Sequence, residues 1–167
     1  MAWVKSEYAG ELAVLSTWLI AVAPWSISIF GGGEITGVVF RFLPFRLQYL
    51  FGISVPNELT FIWAWEAATL QEGNTAVAGS LWTAALAFFA LAFVASIVYY
   101  LREERFAEAL PVDPVRLFGG LLGLAGLGTL VGTVLLNLRG GFVGTTIPIG
   151  ALVAPVLASL LLTVDRA

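Results

Sequence analysis

The chain has 167 residues, of which 59% are apolar and 11% are charged, whereas soluble domains average roughly 45–50% and about 25%. A soluble domain of this size could not bury so much apolar surface, but a lipid bilayer can cover it. The net charge of −3 argues against nucleic-acid binding, and the absence of Cys and His excludes disulfides, thiolate nucleophiles and His-based catalytic or metal sites. We therefore expect an integral membrane protein without a cofactor.

The first apolar segment is Leu12–Phe30, from which we predict a membrane helix over residues 10–30. At 1.5 Å per residue the segment is about 28 Å long, close to the roughly 30 Å of a hydrocarbon core. The alternative is a cleaved secretory signal, with Lys5 at its basic end and a cleavage site at Ala21-Val22-Ala23. The helix is favoured because Pro24 would directly follow the cut and the apolar segment continues beyond it.

Three glycines, Gly31-Gly32-Gly33, are expected to end this helix. Residues 38–53 then alternate in polarity and are rich in aromatic and β-branched side chains, which is typical of strands. Pro44 lies in the middle of this segment and cannot donate to a central ladder. The pattern predicts a β-hairpin with strands Ile35–Leu43 and Phe45–Ile53.

A second membrane helix over Ile35–Val55 is the alternative for the same segment. It would place Arg41, Arg46 and Gln48 at bilayer depth, where each Arg costs roughly 2.5–3.5 kcal/mol. The hairpin avoids this cost and is preferred.

A short helix is predicted over Glu58–Gln71, with Asn57 as its N-cap. Trp63 and Trp65 make this helix interfacial, because Trp is favoured at the level of the lipid headgroups. We expect the helix to lie on the membrane or to cover the hairpin.

Two further membrane helices are predicted over residues 75–101 and 115–138. The first contains no charged residue and ends at Tyr99-Tyr100, which are typical of the membrane interface. The second follows Asp113, a suitable cap, and Pro114, which fits the first helical position.

A fourth membrane helix is predicted over residues 142–164, within the apolar segment Gly141–Val164. Pro148 and Pro155 are seven residues apart, so we expect both to kink this helix on one face.

Glycines on two faces of the third predicted helix indicate that it packs between two neighbours. Gly119, Gly123 and Gly126 share one face, and Gly128 and Gly132 lie nearly opposite. On the second predicted helix, a stripe of small residues is expected to pack and three phenylalanines to face lipid. The stripe is Ser80, Ala84, Ala87 and Ala95, and the phenylalanines are Phe88, Phe89 and Phe93.

The basic residues predict a topology with both termini in the cytoplasm. Five would then be cytoplasmic and three exterior: Lys5, Arg102, Arg105, Arg116 and Arg166 against Arg41, Arg46 and Arg139. Residues 31–74 form the exterior insert in this topology.

The exterior insert holds the residues best suited to contact a partner or lipid. They are Arg41, Arg46, Gln48, Trp63, Trp65 and Glu66. The two arginines can bind a lipid phosphate or a carboxylate, since guanidinium groups match both, and the simpler interpretation is that they anchor the insert at the headgroups. No ionisable residue lies at mid-membrane in the predicted spans, which argues against a pump. The carboxylates are better explained as caps or solvated charges than as catalytic groups.

Several short segments resemble a family of small, uncharacterised membrane proteins from haloarchaea. They are Trp3-Val4-Lys5-Ser6-Glu7-Tyr8-Ala9-Gly10-Glu11-Leu12, Pro24-Trp25-Ser26, Phe40-Arg41-Phe42 and Gln48-Tyr49-Leu50-Phe51-Gly52. The sequence is similar to the group named for genes near archaeosortase A. This resemblance implies an accessory role at the cell envelope and assigns no catalytic residue.

Together these patterns predict one membrane domain over residues 1–167, an all-α fold of four transmembrane helices with an exterior hairpin and short helix. The predicted function is a non-enzymatic accessory or docking component of a cell-envelope complex. The expected contacts are the lipid bilayer and another membrane or envelope protein, or a second copy of the chain. The alternative is a small transporter or lipid-handling protein whose pathway runs between the third and fourth helices around Asn137.

Overall fold

The fold is a mixed α/β arrangement, so the expectation of an all-α protein with four membrane helices is wrong. The computed structural model describes residues 8–32, 35–52, 59–69, 73–138 and 144–164, except the side chains of 67–69 and 73–75. In chain order the elements are α1 Ala9–Val22, β1 Ser26–Gly32, β2 Ile35–Arg41, β3 Phe45–Phe51, β4 Leu59–Trp63, α2 Ala64–Thr69, α3 Gly73–Leu101, α4 Glu103–Ala109, α5 Pro114–Leu138, β5 Gly144–Ile147 and α6 Ile149–Thr163.

The first predicted membrane helix is in fact a helix followed by a strand. Helix α1 ends at Val22, and Ala23 is already extended, with φ −78° and ψ 141°. The helical region of φ and ψ is disfavoured for a residue that precedes proline, so Pro24 explains why α1 ends at Val22. Ser26 to Ile29 then alternate in polarity as strand β1, which also contains Gly31 and Gly32. These glycines therefore do not end a helix, and Gly33 lies outside the described residues.

The predicted hairpin is present as β2 and β3, which pair antiparallel with Arg41 opposite Arg46. Leu43 and Pro44 form the connection, and the Phe42 N–H donates to the Phe45 carbonyl at 2.8 Å. The described strands are shorter than predicted, and the predicted end at Ile53 lies outside the described residues.

The helix predicted over Glu58–Gln71 is wrong for its first half, because Leu59–Trp63 is strand β4. Within the described part of this range, the helical residues are Ala64–Thr69. The alternation of Leu59, Phe61 and Trp63 with Thr60 and Ile62 favours a strand, and pairing with β3 provides the hydrogen bonds. The proposed cap Asn57 lies outside the described residues.

The fourth predicted membrane helix is also shorter than expected. Gly144–Ile147 forms strand β5, and helix α6 begins only at Ile149. Pro148 occupies the N-cap position rather than the helix interior, so Pro155 is the proline inside α6. The expected pair of kinks on one helix face is therefore wrong.

The five strands form one antiparallel sheet in the order β4-β3-β2-β1-β5. Strands β1 to β4 follow one another as hairpin neighbours, whereas β5 joins β1 from the far end of the sequence. The sheet therefore includes a strand that is separated from its partner β1 in sequence by helices α2 to α5.

Helices α3 and α5 are the two that are long and apolar enough to cross a membrane among the described residues, over Ala76–Leu101 and Pro114–Leu138. Helices α1 and α6 are apolar but have 14 and 15 residues. The predicted start of α5 is confirmed: Asp113 Oδ1 accepts from the Val115 N–H at 2.8 Å and from the Arg116 N–H at 3.2 Å.

Helix α5 packs against α6 on one side and α3 on the other. A Cβ added at Gly126 would lie 2.6 Å from Pro155 Cδ, and one added at Gly119 would lie 3.1 Å from Leu161 Cβ, also on α6. Gly128 and Gly132 instead lie against Ala85 and Ala78 of α3. These are the two neighbours that the glycine spacing predicts.

The small stripe predicted on α3 is wrong, because the buried side of this helix is a different one. Its buried residues are Ala78, Trp82, Ala85, Phe89, Ala92, Ser96 and Tyr99. Ser80, Ala84 and Ala87 are exposed, while Phe89 packs inside against Trp25.

Trp25 joins the sheet to the helix bundle. Its side chain is fully buried, and its ring contacts Phe89 edge-on at a centroid distance of 5.9 Å. Its main-chain N–H donates to the Arg41 carbonyl at 2.7 Å, and its carbonyl accepts from the Ala151 N–H at 3.2 Å. One residue thus fixes β1, β2 and the start of α6 together.

Candidate contact surface and arginine site

The sheet has one face turned towards the helices and one turned outward, as the strand register shows. The outward face is apolar and rich in aromatic rings. Its side chains include Ile27, Ile29, Val38, Phe40, Phe45, Leu47, Tyr49, Phe51, Leu59, Phe61, Trp63 and Ile147, with Thr36 and Thr145 near one end. We call this the outer face.

The opposite side, which we call the inner face, carries most of the polar residues of the sheet. They are Ser26, Ser28, Arg41, Arg46, Gln48, Thr60 and Thr146, interspersed with Val39 and Ile62. Phe30, Ile35 and Leu50 lie on the same face towards its other end. Ser26 and Ser28 are fully buried. A sheet in water normally turns its apolar face to the core and its polar face to solvent. Here the polarity is reversed.

A row of aromatic rings crosses one end of the outer face. Centroid distances are 4.8 Å for Phe42–Phe45, 5.0 Å for Phe45–Phe61, 4.9 Å for Phe61–Trp63 and 4.8 Å for Trp63–Trp65. Trp63 and Trp65 stack nearly parallel and remain about half exposed. Such rings suit an environment that is apolar on one side and polar on the other.

Arg41 and Arg46 are directly opposite each other on the inner face, at the end of the sheet nearest the bundle. Burial lowers the pKa of Arg41 to about 10, and the neighbouring Arg46 charge contributes. Burial also lowers the pKa of Arg46. Both shifts mean that the folded protein penalises these charges, chiefly because burial removes them from water, and at Arg41 also because the like charge of Arg46 lies directly opposite.

A cavity of about 50 Å³ lies between the two arginines and the helices. It is lined by Arg41, Phe42, Phe45, Arg46, Ala64, Ala78, Gly79, Trp82 and Leu136. Ala78 and Gly79 are close to the beginning of the apolar segment Ala76–Leu101. The cavity is therefore near one end of the two long helices.

A network of polar contacts runs across the inner face. Arg41 Nη1 donates to Ser28 Oγ, whose hydroxyl shares a 2.7 Å hydrogen bond with Thr146 Oγ1. The Thr146 main chain then pairs with the Asn137 carboxamide of α5. This network connects β2, β1, β5 and the end of α5.

A family model matches residues 2–166, which is nearly the whole chain. The chain belongs to DUF7549, a family of unknown function. A search of curated proteins gave no match for it. The match spans both the helix bundle and the sheet of this DUF7549 protein, so the family is defined by both. The resemblance to haloarchaeal proteins encoded near archaeosortase A stays a prediction.

The DUF7549 fold divides the predicted contact residues into two groups. Arg41, Arg46 and Gln48 lie on the inner face, so they do not point away from the protein. Trp63 and Trp65 are exposed at the β4 edge. Glu66 Oε2 accepts from the Trp63 N–H of this edge strand at 3.3 Å.

Sequence reasoning missed the partners of the arginines in this DUF7549 chain. Ser28, Thr146 and Trp82 were not predicted to lie near Arg41, because residues 10–30 and 142–164 were interpreted as helices. The Ser-Ile-Ser-Ile alternation after Pro24 was the available signal. Among the described residues there is no group of three or more acidic side chains that could hold a metal ion.

Proposed function

We propose that this protein is a non-enzymatic integral membrane protein of the cell membrane and an accessory component of a complex with another membrane protein. The observation that carries the proposal is the reversed polarity of its sheet. Soluble proteins rarely expose a contiguous apolar surface that extends over a whole sheet face, so this outward face is expected to be covered by lipid or by protein.

The helices support the membrane placement. Leu91, Val94, Leu127 and Val156 are each more than half exposed, and they lie on α3, α5 and α6. A water-soluble bundle would bury such side chains or replace them with polar ones, whereas lipid covers them at no cost.

The distribution of charge supports the predicted topology. Arg102, Arg105 and Arg116 lie at the end of the bundle where α3 meets α4 and α5 begins, and all three are exposed. The sheet lies at the opposite end. Basic residues favour the cytoplasmic side, so the sheet would be on the exterior side with both termini in the cytoplasm.

The outer face is proposed to contact a protein, because the sheet is open. Strands β4 and β5 are its two edges, and the Asn137 carboxamide bonds only to β5, so β4 is the edge to consider. Lipid tails offer no hydrogen-bond partner to the backbone groups of an edge strand, whereas a protein partner does. Aromatic residues without charge are also typical of the centre of protein interfaces.

The test is site-specific photocrosslinking in native membranes. A photoreactive residue replaces Phe40 or Phe61 on the outer face, and we expect a discrete adduct with one membrane protein. The matched control is the same substitution at Val94, an exposed residue of α3 that should yield only lipid adducts. Adducts with lipid alone at Phe40 and Phe61 would contradict the docking role.

Membrane placement is tested separately by extraction at alkaline pH. The protein should stay with the membrane pellet and be released only by detergent. Recovery in the alkaline supernatant would exclude an integral membrane protein.

A second candidate is a lipid-handling protein, which the cavity beside Arg41 and Arg46 favours. The pathway predicted around Asn137 and the two prolines is not supported, because Gly126 is packed against Pro155 and the Asn137 carboxamide is bonded to Thr146. A lipid headgroup handled by the protein would instead bind at the arginines.

A further inference from the structure

A row of polar side chains crosses three neighbouring strands at the end of the inner face. Ser26 is opposite Arg41, and Arg41 is opposite Arg46. Two guanidinium groups and a hydroxyl are thus brought side by side from β1, β2 and β3. All of these groups can donate hydrogen bonds.

Two polar atoms of this row lack a protein partner. Arg46 Nε and Ser26 Oγ are buried, and no residue in the described part of the chain forms a hydrogen bond with either. A buried donor without a partner is costly, and such groups are normally satisfied by water or a ligand. Of these two residues Arg46 lines the cavity beside the sheet, so it has a donor to offer to a group that enters there.

The cavity beside Arg46 suits a small anion. Its volume of about 50 Å³ exceeds the roughly 10–15 Å³ that one water molecule needs. Among the described residues that line it, the two arginines are the charged ones. Phe42, Phe45 and Trp82 form apolar walls, which strengthen the attraction between a cation and an anion by excluding water.

We infer that the Arg41–Arg46 cavity binds one phosphate group. Guanidinium groups match phosphate oxygens in pairs, and a dianionic or monoanionic group would neutralise the charges that the sheet brings together. The position near the end of the α3 span puts the cavity at the depth of lipid phosphates, so a phospholipid headgroup and free phosphate are the two possible sources.

The membrane placement proposed above decides only which source reaches the site. If alkaline extraction releases the protein, the lipid source is excluded, but binding of inorganic phosphate at Arg46 is still measurable. The two proposals therefore fail in distinguishable ways.

The test is ligand-dependent thermal unfolding of the full chain, purified in detergent and depleted of lipid. The probes are dioctanoyl phosphatidylglycerol, inorganic phosphate and dioctanoylglycerol, which has the same acyl chains without phosphate. We expect Arg46→Gln to raise the half-saturating concentration of the phosphate-bearing probe about tenfold, because charge-assisted hydrogen bonds are lost. Dioctanoylglycerol should show no dependence on Arg46.

Two further variants make the result specific. Arg46→Lys keeps the charge and loses the paired donors, so it should weaken phosphate binding by less than Arg46→Gln does. It also provides the test of the site if Arg46→Gln does not fold. Arg105→Gln removes an exposed charge at the other end of the bundle and should leave binding unchanged.

Each outcome distinguishes among the possibilities. An Arg46-dependent shift with phosphatidylglycerol alone indicates a lipid phosphate, and the same shift with inorganic phosphate indicates a site open to the free ion. Equal binding by the wild type and both Arg46 variants, or Arg46-dependent binding of dioctanoylglycerol, would overturn the inference.

Discussion

The carboxamide of Asn137 pairs with the main chain of Thr146 as another strand would. Its Nδ2 donates to the Thr146 carbonyl at 3.1 Å, and its Oδ1 accepts from the Thr146 N–H at 3.1 Å. Strand β5 is an edge of the sheet, so these two bonds satisfy backbone groups that no neighbouring strand can reach. The last turn of α5 thereby protects the edge that β5 presents.

Replacing Asn137 by Ala should destabilise the protein by about 1–3 kcal/mol, because both backbone groups of Thr146 lose their partner. Unfolding by denaturant in detergent, followed by circular dichroism, measures the change. Asn137→Asp keeps the acceptor and loses the donor, so its stability should lie between that of the wild type and that of Asn137→Ala. Unchanged stability of Asn137→Ala would show that the edge needs no cap.

Gly126→Ala should destabilise the protein by about 1–3 kcal/mol through overpacking, because the added Cβ would lie 2.6 Å from Pro155 Cδ and 3.0 Å from Ala154 Cβ. Gly120→Ala is the matched control on the same helix, since its Cβ would meet nothing within 4 Å. The control should be neutral or stabilising by up to about 1 kcal/mol, as Ala favours helix over Gly. If both variants behave alike, α5 and α6 do not pack as described.

Asp113→Ala should cost about 0.5–2 kcal/mol, because the first turn of α5 loses the acceptor for its Val115 and Arg116 N–H groups. Asp113→Asn retains a capping oxygen and should cost much less. The unfolding midpoint in detergent compares the three proteins. A loss as large in Asp113→Asn as in Asp113→Ala would point to the charge rather than to the cap.

Arg46→Met should raise the unfolding temperature in phosphate-free buffer at neutral pH. Burial lowers the pKa of Arg46, which means that the charged form is penalised in the folded state, and removing the charge removes that penalty. Arg116→Met, on the exposed side of α5, should change the midpoint little.

The stabilisation by Arg46→Met should be constant from pH 6 to pH 9. Burial and the Arg46 charge lower the pKa of Arg41 only to about 10, so Arg41 stays charged in the folded and unfolded states over this range. The penalty on Arg41 is present at every pH below that value and is relieved only as the pH rises through about 10. A strong change of the Arg46→Met effect below pH 9 would implicate another titrating group.

Phe40→Lys should reduce the amount of protein recovered from membranes, because it places a charge on the outer face where a protein partner is proposed. Thr36→Lys is a control on the same strand and the same face, near the exposed end of the sheet. Fluorescence-detected size-exclusion chromatography of detergent extracts gives the yield of both. If Phe40→Lys is recovered in the same amount as the wild type or in a higher amount, the outer face contacts water.

The long helices and the central hairpin follow from local sequence. Asp113 and Pro114 mark the start of α5 through a cap and a fixed φ, and both act within one helical turn. Pro44 marks the connection of β2 and β3, because the two strands that it separates are neighbours in sequence and pair directly. Interactions of this range can be recognised without knowledge of the rest of the fold.

Strands β1 and β5 depend on partners that are distant in sequence. Ser28 and Thr146 are 118 positions apart, and Gly144–Ile147 has four residues, too few for its alternation to be distinguished from the apolar helix that follows. Each segment is apolar enough to extend a neighbouring helix, as was predicted. The pairing of β1 with β5 decides in favour of the strand, since strand hydrogen bonds come from the partner rather than from the segment itself.

By itself the sequence determined the 59% apolar content, from which a membrane protein is predicted, and the two alternating strands on either side of Pro44. Only the tertiary structure decided which side of those strands faces the helices. Alternation defines two faces and does not say which one is covered, because a strand buries whichever face its neighbours pack against. Here the face that turns inward carries Arg41 and Arg46, and the face that turns outward carries Phe40 and Phe61.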